Sequence, residues 1–76
     1  MITVKLYGLL RLESGIKECR MDANSMKELL ILLEQKGLDR KQLSGCNLLV
    51  NGKAASKHSP LTDGDTVQLF SPVAGG

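Results

Sequence analysis

One segment governs what this chain can fold into. Ser25-Met26-Lys27-Glu28 opens its one long helical pattern, and short segments alternating with period two stand on both sides. Ser-x-x-Glu is a capping box, in which the serine and glutamate side chains satisfy backbone donors that a helix start leaves unpaired. The spacing predicts a helix to about Lys36, with Gly37 as its C-terminal cap. On a helical wheel Met26, Leu29, Leu30 and Leu33 share one face, with Leu32 at its margin. Ile31 falls on the opposite side, toward water. A single apolar stripe needs an apolar sheet face to cover it.

The flanking segments supply that face. In Ile2-Thr3-Val4-Lys5-Leu6-Tyr7 the first, third and fifth residues point one way and Thr3, Lys5 and Tyr7 the other. Gly8 to Gly15 reads as a loop. A second strand is predicted near Lys17 to Asp22, with Cys19 and Met21 inward. After the helix, Leu38 and Leu43 plug the bottom of the core. Asn47-Leu48-Leu49-Val50 reads as a short strand, Asn51-Gly52 as a hairpin turn, and Lys53 to Ser56 as a weak strand. Leu61-Thr62-Asp63-Gly64-Asp65 is a tight turn anchored by Leu61. Thr66-Val67-Gln68-Leu69-Phe70 is the last strand, with Val67 and Leu69 inward.

The order β-β-α-β-(β)-β predicts an α+β fold: one main helix on one face of a small mixed sheet of four to five strands. The first and last strands run parallel through the middle. The 76 residues suffice for one domain. We divide them into a folded domain, 1–71, and a flexible C-terminal tail, 72–76.

Charge excludes some functions. Ten basic and eight acidic residues are interspersed, with a net charge of +2. Nucleic acid would call for a clustered basic face, so no nucleic-acid partner is expected. No apolar run approaches the ~20 residues of a membrane span, and the N-terminus lacks a signal-peptide pattern. The chain therefore reads as cytoplasmic, with no membrane partner, and Cys19 and Cys46 as reduced, core-filling thiols.

Side chains suited to catalysis are nearly absent. His58, in Lys-His-Ser-Pro, has no partner at ligand or triad spacing and reads as a solvated loop residue. Asp63 and Asp65 flank a glycine, and with no third ligand spaced for a metal they read as turn residues. No metal site and no bound cofactor are expected.

Two features remain. The alternation points Tyr7, Leu49 and Phe70 away from the helix, so the two aromatic residues of the chain can meet on an open sheet face as a partner site. Just beyond lies Ser71-Pro72-Val73-Ala74-Gly75-Gly76. Pro72 fixes its own φ and biases Ser71 toward extended geometry, which would hold the end away from the body. Six extended residues reach roughly 20 Å at about 3.3 Å each. Gly75 and Gly76 lack a Cβ and can enter a narrow channel, which leaves the backbone carboxylate of Gly76 as the group delivered.

The Val50-Asn51-Gly52 turn, Leu61-Thr62-Asp63-Gly64-Asp65-Thr66-Val67 and the end Phe70-Ser71-Pro72-Val73-Ala74-Gly75-Gly76 resemble the ubiquitin-like sulfur-carrier family of the MoaD and ThiS type. The resemblance spans the chain and is strongest after Val50. It implies a ubiquitin-like β-grasp fold. It also implies a carrier, not an enzyme: an E1-like activating enzyme uses ATP to adenylate Gly76, and sulfur then replaces AMP to give a thiocarboxylate. Phe70-x-Pro72-Val73-Ala74-Gly75-Gly76 is most similar to the molybdopterin synthase type, although Ser71 stands where that type often has another proline. That branch implies sulfur delivery to the molybdopterin synthase large subunit. The neighbouring branches imply thiamine thiazole synthesis or another sulfur-accepting synthase, or attachment to proteins as a modifier. The family's contact positions fall here on Tyr7, Phe70 and the tail.

Overall fold

The alternation at the start of the chain becomes strand β1, Ile2–Tyr7, and its inward residues Ile2, Val4 and Leu6 are almost wholly buried. A computed structural model describes residues 1–71; Pro72, Val73, Ala74, Gly75 and Gly76, and with them the predicted tail, lie outside the described residues. Strand β2, Glu18–Met21, pairs antiparallel with β1 and places Cys19 beside Val4 and Met21 beside Ile2. Strands β3, Asn47–Val50, and β4, Lys53–Ala55, form the expected hairpin. Its turn residues Asn51 and Gly52 have φ of 52° and 83°, the sign that a tight type I′ connection demands at both positions. Strand β5, Thr66–Phe70, runs parallel to β1 and antiparallel to β3. The five-stranded order is β2-β1-β5-β3-β4, with the first and last strands central as predicted.

The helix that covers this sheet is α2, Met26–Gln35, with Met26, Leu29 and Leu33 buried. Ser25 Oγ accepts the Glu28 N–H at 3.2 Å. That is one half of the predicted box; Ser25 itself bridges to Pro60. The helix ends in a Schellman motif: the Gly37 N–H donates to the Glu34 carbonyl and the Leu38 N–H to the Leu33 carbonyl. Leu38 is thereby turned back into the core beside Leu33. Ile31 is 48% exposed, on the water side.

Two helices were not legible. Leu43 does plug the core, but from a short helix α3, Arg40–Gly45, started by Asp39, whose carboxylate accepts the Lys41 N–H at 2.9 Å. The segment expected to be a loop from Gly8 to Gly15 contains helix α1, Leu9–Ser14. Its one and a half turns are paid for by Leu10, which is 1% exposed, while Leu12 projects into water. Gly8 offers no side chain for an N-cap, so the local sequence carries no start signal. The cap comes from elsewhere in the chain.

At the starting end of β1 and β5 the Thr62–Asp65 turn closes as predicted. Asp65 Oδ2 accepts the Thr62 N–H and Oδ1 accepts from Asn51 Nδ2, both at 2.9 Å. Asn51 Oδ1 in turn accepts the Thr66 N–H at 3.0 Å. These bonds hold the Asp65 carboxyl below its ordinary range, the Thr62 N–H contributing most. The Asp63 carboxylate pairs with the Met1 ammonium group at the surface.

Candidate functional site

Because β1 and β5 are parallel, they finish level, with Tyr7 in register with Phe70. Both side chains lie on the face opposite the helix, since Leu6 and Leu69 beside them are buried beneath α2. Their rings stack with centroids 4.5 Å apart and planes 7° from parallel. Such a pair contributes about 0.5–1.5 kcal/mol beyond its buried area, and here it also fixes both rings as one half-exposed platform. The sequence placed these two residues on one face; the structure shows them in contact.

Leu49 shares that face but stands one strand away, in register with Gln68. Gln68 was not singled out in the sequence. Its amide donates to Tyr7 Oη at 3.2 Å, so a polar group sits among the apolar ones. Period two placed Gln68 on the Phe70 face, and only the parallel pairing reveals that it meets Tyr7. Aromatic residues of this kind are enriched at protein–protein interfaces relative to the rest of the surface.

The end of this platform holds a junction the sequence did not show. Ser71, expected in extended geometry at the end of the folded domain, is 7% exposed and is the one buried polar residue among the described residues. Its Oγ accepts the Leu10 N–H at 2.9 Å and donates to the Tyr7 carbonyl at 3.1 Å. Leu10 is the second residue of α1, so Ser71 does in trans what an N-cap side chain does locally. Gly8 makes room. Its φ is +71°, and a Cβ there would lie 2.5 Å from the Ser71 carbonyl oxygen. The remaining predicted partner positions Pro72, Val73, Ala74 and Gly75, and the reactive Gly76, lie outside the described residues.

Elsewhere the chemistry is quiet. Burial pushes both the Cys19 and Cys46 thiols up, away from reactive thiolate, with Lys36 only partly opposing this at Cys19. Cys46 Sγ lies 3.0 Å from the Leu43 carbonyl. A groove of about 630 Å³ on the helix side is lined by Leu30, Ile31, Leu48, Cys46 and His58 among others, away from the stacked rings. His58 is exposed. Among the described residues no three His, Cys, Asp or Glu side chains gather as metal ligands, and no helix is long and apolar enough to cross a membrane.

A search of curated proteins finds no match. Among solved structures, the chain is similar to a protein in the complex of subunits 1 and 2 of molybdopterin-converting factor from Helicobacter pylori. Identity is 29%, coverage 99% of this chain and 97% of that one, and the TM-score 0.74. SAMP1 from Haloferax volcanii shares 25% identity over 99% of this chain and 98% of its own, with a TM-score of 0.75. A chain of the BexX/CysO complex from Amycolatopsis orientalis, at 24% identity, covers 100% of both chains with a TM-score of 0.75 and shares the fold. The fold is thus the ubiquitin-like β-grasp. The ThiS family model matches residues 4–76, and the chain belongs to that family of small ubiquitin-like sulfur carriers.

Proposed function

We propose that this chain carries sulfur to molybdopterin synthesis in the cytoplasm, as a thiocarboxylate on Gly76. The observation that carries the reading is the Tyr7–Phe70 stack at the finishing end of the two central strands. The two stacked rings come immediately before the segment that ends in Gly75-Gly76. A partner that grips the platform receives the terminal carboxylate at a defined distance. Pro72, Val73, Ala74 and Gly75 thread into the partner, and Leu49 widens the grip. The molybdopterin branch is supported by the likeness to the Helicobacter pylori complex and by the Phe70-Ser71-Pro72-Val73-Ala74-Gly75-Gly76 end.

The chemistry needs two steps. A carboxylate is a poor acyl donor because its oxygen leaves badly. In the active site of an E1-like enzyme a Gly76 oxygen attacks the α-phosphorus of ATP, forming the acyl-adenylate and releasing pyrophosphate. A persulfide then attacks the acyl carbon and AMP departs with the original oxygen. A second thiol cleaves the acyl disulfide, becomes oxidised to a disulfide itself, and leaves the thiocarboxylate. The carrier contributes no acid or base and holds no cofactor; ATP belongs to the activating enzyme. The sulfur then passes to the molybdopterin synthase large subunit.

Intact mass after incubation with an activating enzyme, ATP and a persulfide donor should show one oxygen exchanged for sulfur. Deleting Gly76 should abolish the exchange and leave the fold unchanged. An unaltered mass with active enzyme present would overturn the reading. The likeness to SAMP1 favours a second reading, that the same adenylate is passed to protein lysines. A Gly-Gly remnant in isopeptide linkage on other proteins would distinguish it.

A further inference from the structure

We propose that Ser71 is a positioning residue: its hydroxyl, bonded to Leu10 and Tyr7 and admitted by Gly8, sets the point and direction from which the terminal segment leaves the sheet. The inference rests on the sulfur-carrier reading and deepens it, because it names what aims the carboxylate that the Tyr7–Phe70 platform presents.

The geometry is specific. Two strands end side by side at Tyr7 and Phe70. One continues into α1 and the other into Ser71. A serine hydroxyl has one proton to give and lone pairs to receive. Here the proton goes to the Tyr7 carbonyl and a lone pair takes the Leu10 N–H. The Ser71 N–H also points to the Tyr7 carbonyl, at 3.4 Å. Donor and acceptor thus both lie near one end of the β1–α1 connection, and the hydroxyl holds its position only if Ser71 is seated there. A buried hydroxyl with both functions satisfied resists displacement, since moving it would strand the Leu10 donor.

Gly8 is the matching part. With its φ of +71° the backbone already takes a conformation that L side chains rarely adopt, and the Ser71 carbonyl fills the space a Cβ would need. The close approach leaves Ser71 no slack on that side. Phe70 is held by ring stacking and Ser71 by the hydroxyl, so two consecutive residues are fixed by unrelated forces. The second holds the first residue after the strand, beyond the strand pairing of Phe70 and the backbone bond from the Ser71 N–H.

This separates grip from aim. Removing the hydroxyl leaves the Tyr7–Phe70 platform in place, so docking on the activating enzyme survives while delivery of the carboxylate suffers. Loss confined to kcat is the signature of an interaction that matters in the transition state and not in ground-state binding.

The test compares wild type, Ser71→Ala and Ser71→Thr as full chains, at a temperature where all are folded. Three quantities are read: exchange protection of the Leu10 amide, the residual dipolar coupling of the amide at position 71, and steady-state adenylation by the activating enzyme. Ser71→Ala should lose Leu10 protection, shrink the coupling and lower kcat about tenfold with KM nearly unchanged, since small misplacements of a reacting group are costly. Ser71→Thr should restore all three. Wild-type kcat in Ser71→Ala despite lost Leu10 protection overturns the inference, and so does unchanged protection and coupling. Failure of the wild type itself to be adenylated by an active enzyme overturns the carrier reading instead; the coupling at position 71 still decides whether the hydroxyl holds the exit.

Discussion

The two ends of the central strand pair are held by different means. At the starting end, the Asp65 and Asn51 side chains bind each other and the Thr62 and Thr66 N–H groups across two neighbouring turns. These side-chain bonds all lie inside the stretch from Asn51 to Thr66, beside backbone bonds from Thr3 to Asp65 and from Gly64 to Met1 and the surface pair of Asp63 with Met1. At the finishing end a single buried serine joins the last described residue to the first helix, across sequence separations of 61 and 64. The first clasp is local, polar and open to water. The second is long-range and sealed. Turn closure needs only the first kind. The residue just before the terminal segment is held by the second kind.

The largest test of this contrast is a matched pair of glycine substitutions. Gly8→Ala meets the Ser71 carbonyl at 2.5 Å as well as a positive φ. It should cost about 3–4 kcal/mol, combining backbone strain with displacement of a packed neighbour. Gly64→Ala has a φ of +93° but nothing within 4 Å of the added Cβ, so only the conformational penalty of about 1–2 kcal/mol applies. Urea unfolding of both variants reads the difference. Equal costs would mean that the close approach at Gly8 relaxes freely and the finishing end is not sealed.

A smaller step removes the clasps and leaves the backbone as it is. Ser71→Ala deletes a cap and a buried hydrogen bond and should cost about 1–2 kcal/mol. Asn51→Gly keeps the left-handed conformation at φ 52° but loses both side-chain bonds, which are exposed, and should cost about 0.5–1 kcal/mol. Urea midpoints should therefore rank Ser71→Ala below Asn51→Gly. The reverse order would place the stronger clasp at the turn.

This contrast also explains what could be read in advance. The starting end was legible because its signals are adjacent: Asn51-Gly52 and Asp63-Gly64-Asp65 each announce a turn through their own residues. The alternation of β1 and β5 and the stripe of α2 were legible for the same reason, and they put Tyr7 and Phe70 on one face. Helix α1 was not, because its cap is Ser71 and local sequence at Gly8 shows only a breaker. Helix α3 is not legible although Asp39 supplies a local cap, because its six residues are too few to display a period. Gln68 and Ser71 are not legible as site residues for the reason that hides α1: their partners Tyr7 and Leu10 come close only once the strands pair.

The smallest expected effect is in acid, and it falls on one end alone. Asp65 has its carboxyl held below the ordinary value of 3.8, chiefly by the Thr62 N–H and then by Asn51. A carboxyl depressed in the folded state stabilises fully above its unfolded value, and that contribution is lost as pH falls through the folded value. The starting end should therefore loosen in strong acid. The bonds at Ser71 involve a hydroxyl, an amide and a carbonyl, none of which titrates there. An acid titration followed by amide chemical shifts should move Thr62 with an inflection below 3.8 while Leu10 stays still. Asp65→Asn should remove the Thr62 inflection. If Leu10 moved together with Thr62 while the protein remained folded, the two ends would be coupled through β1 and β5, and the finishing end would not be the independent fixture that aiming the terminal segment requires.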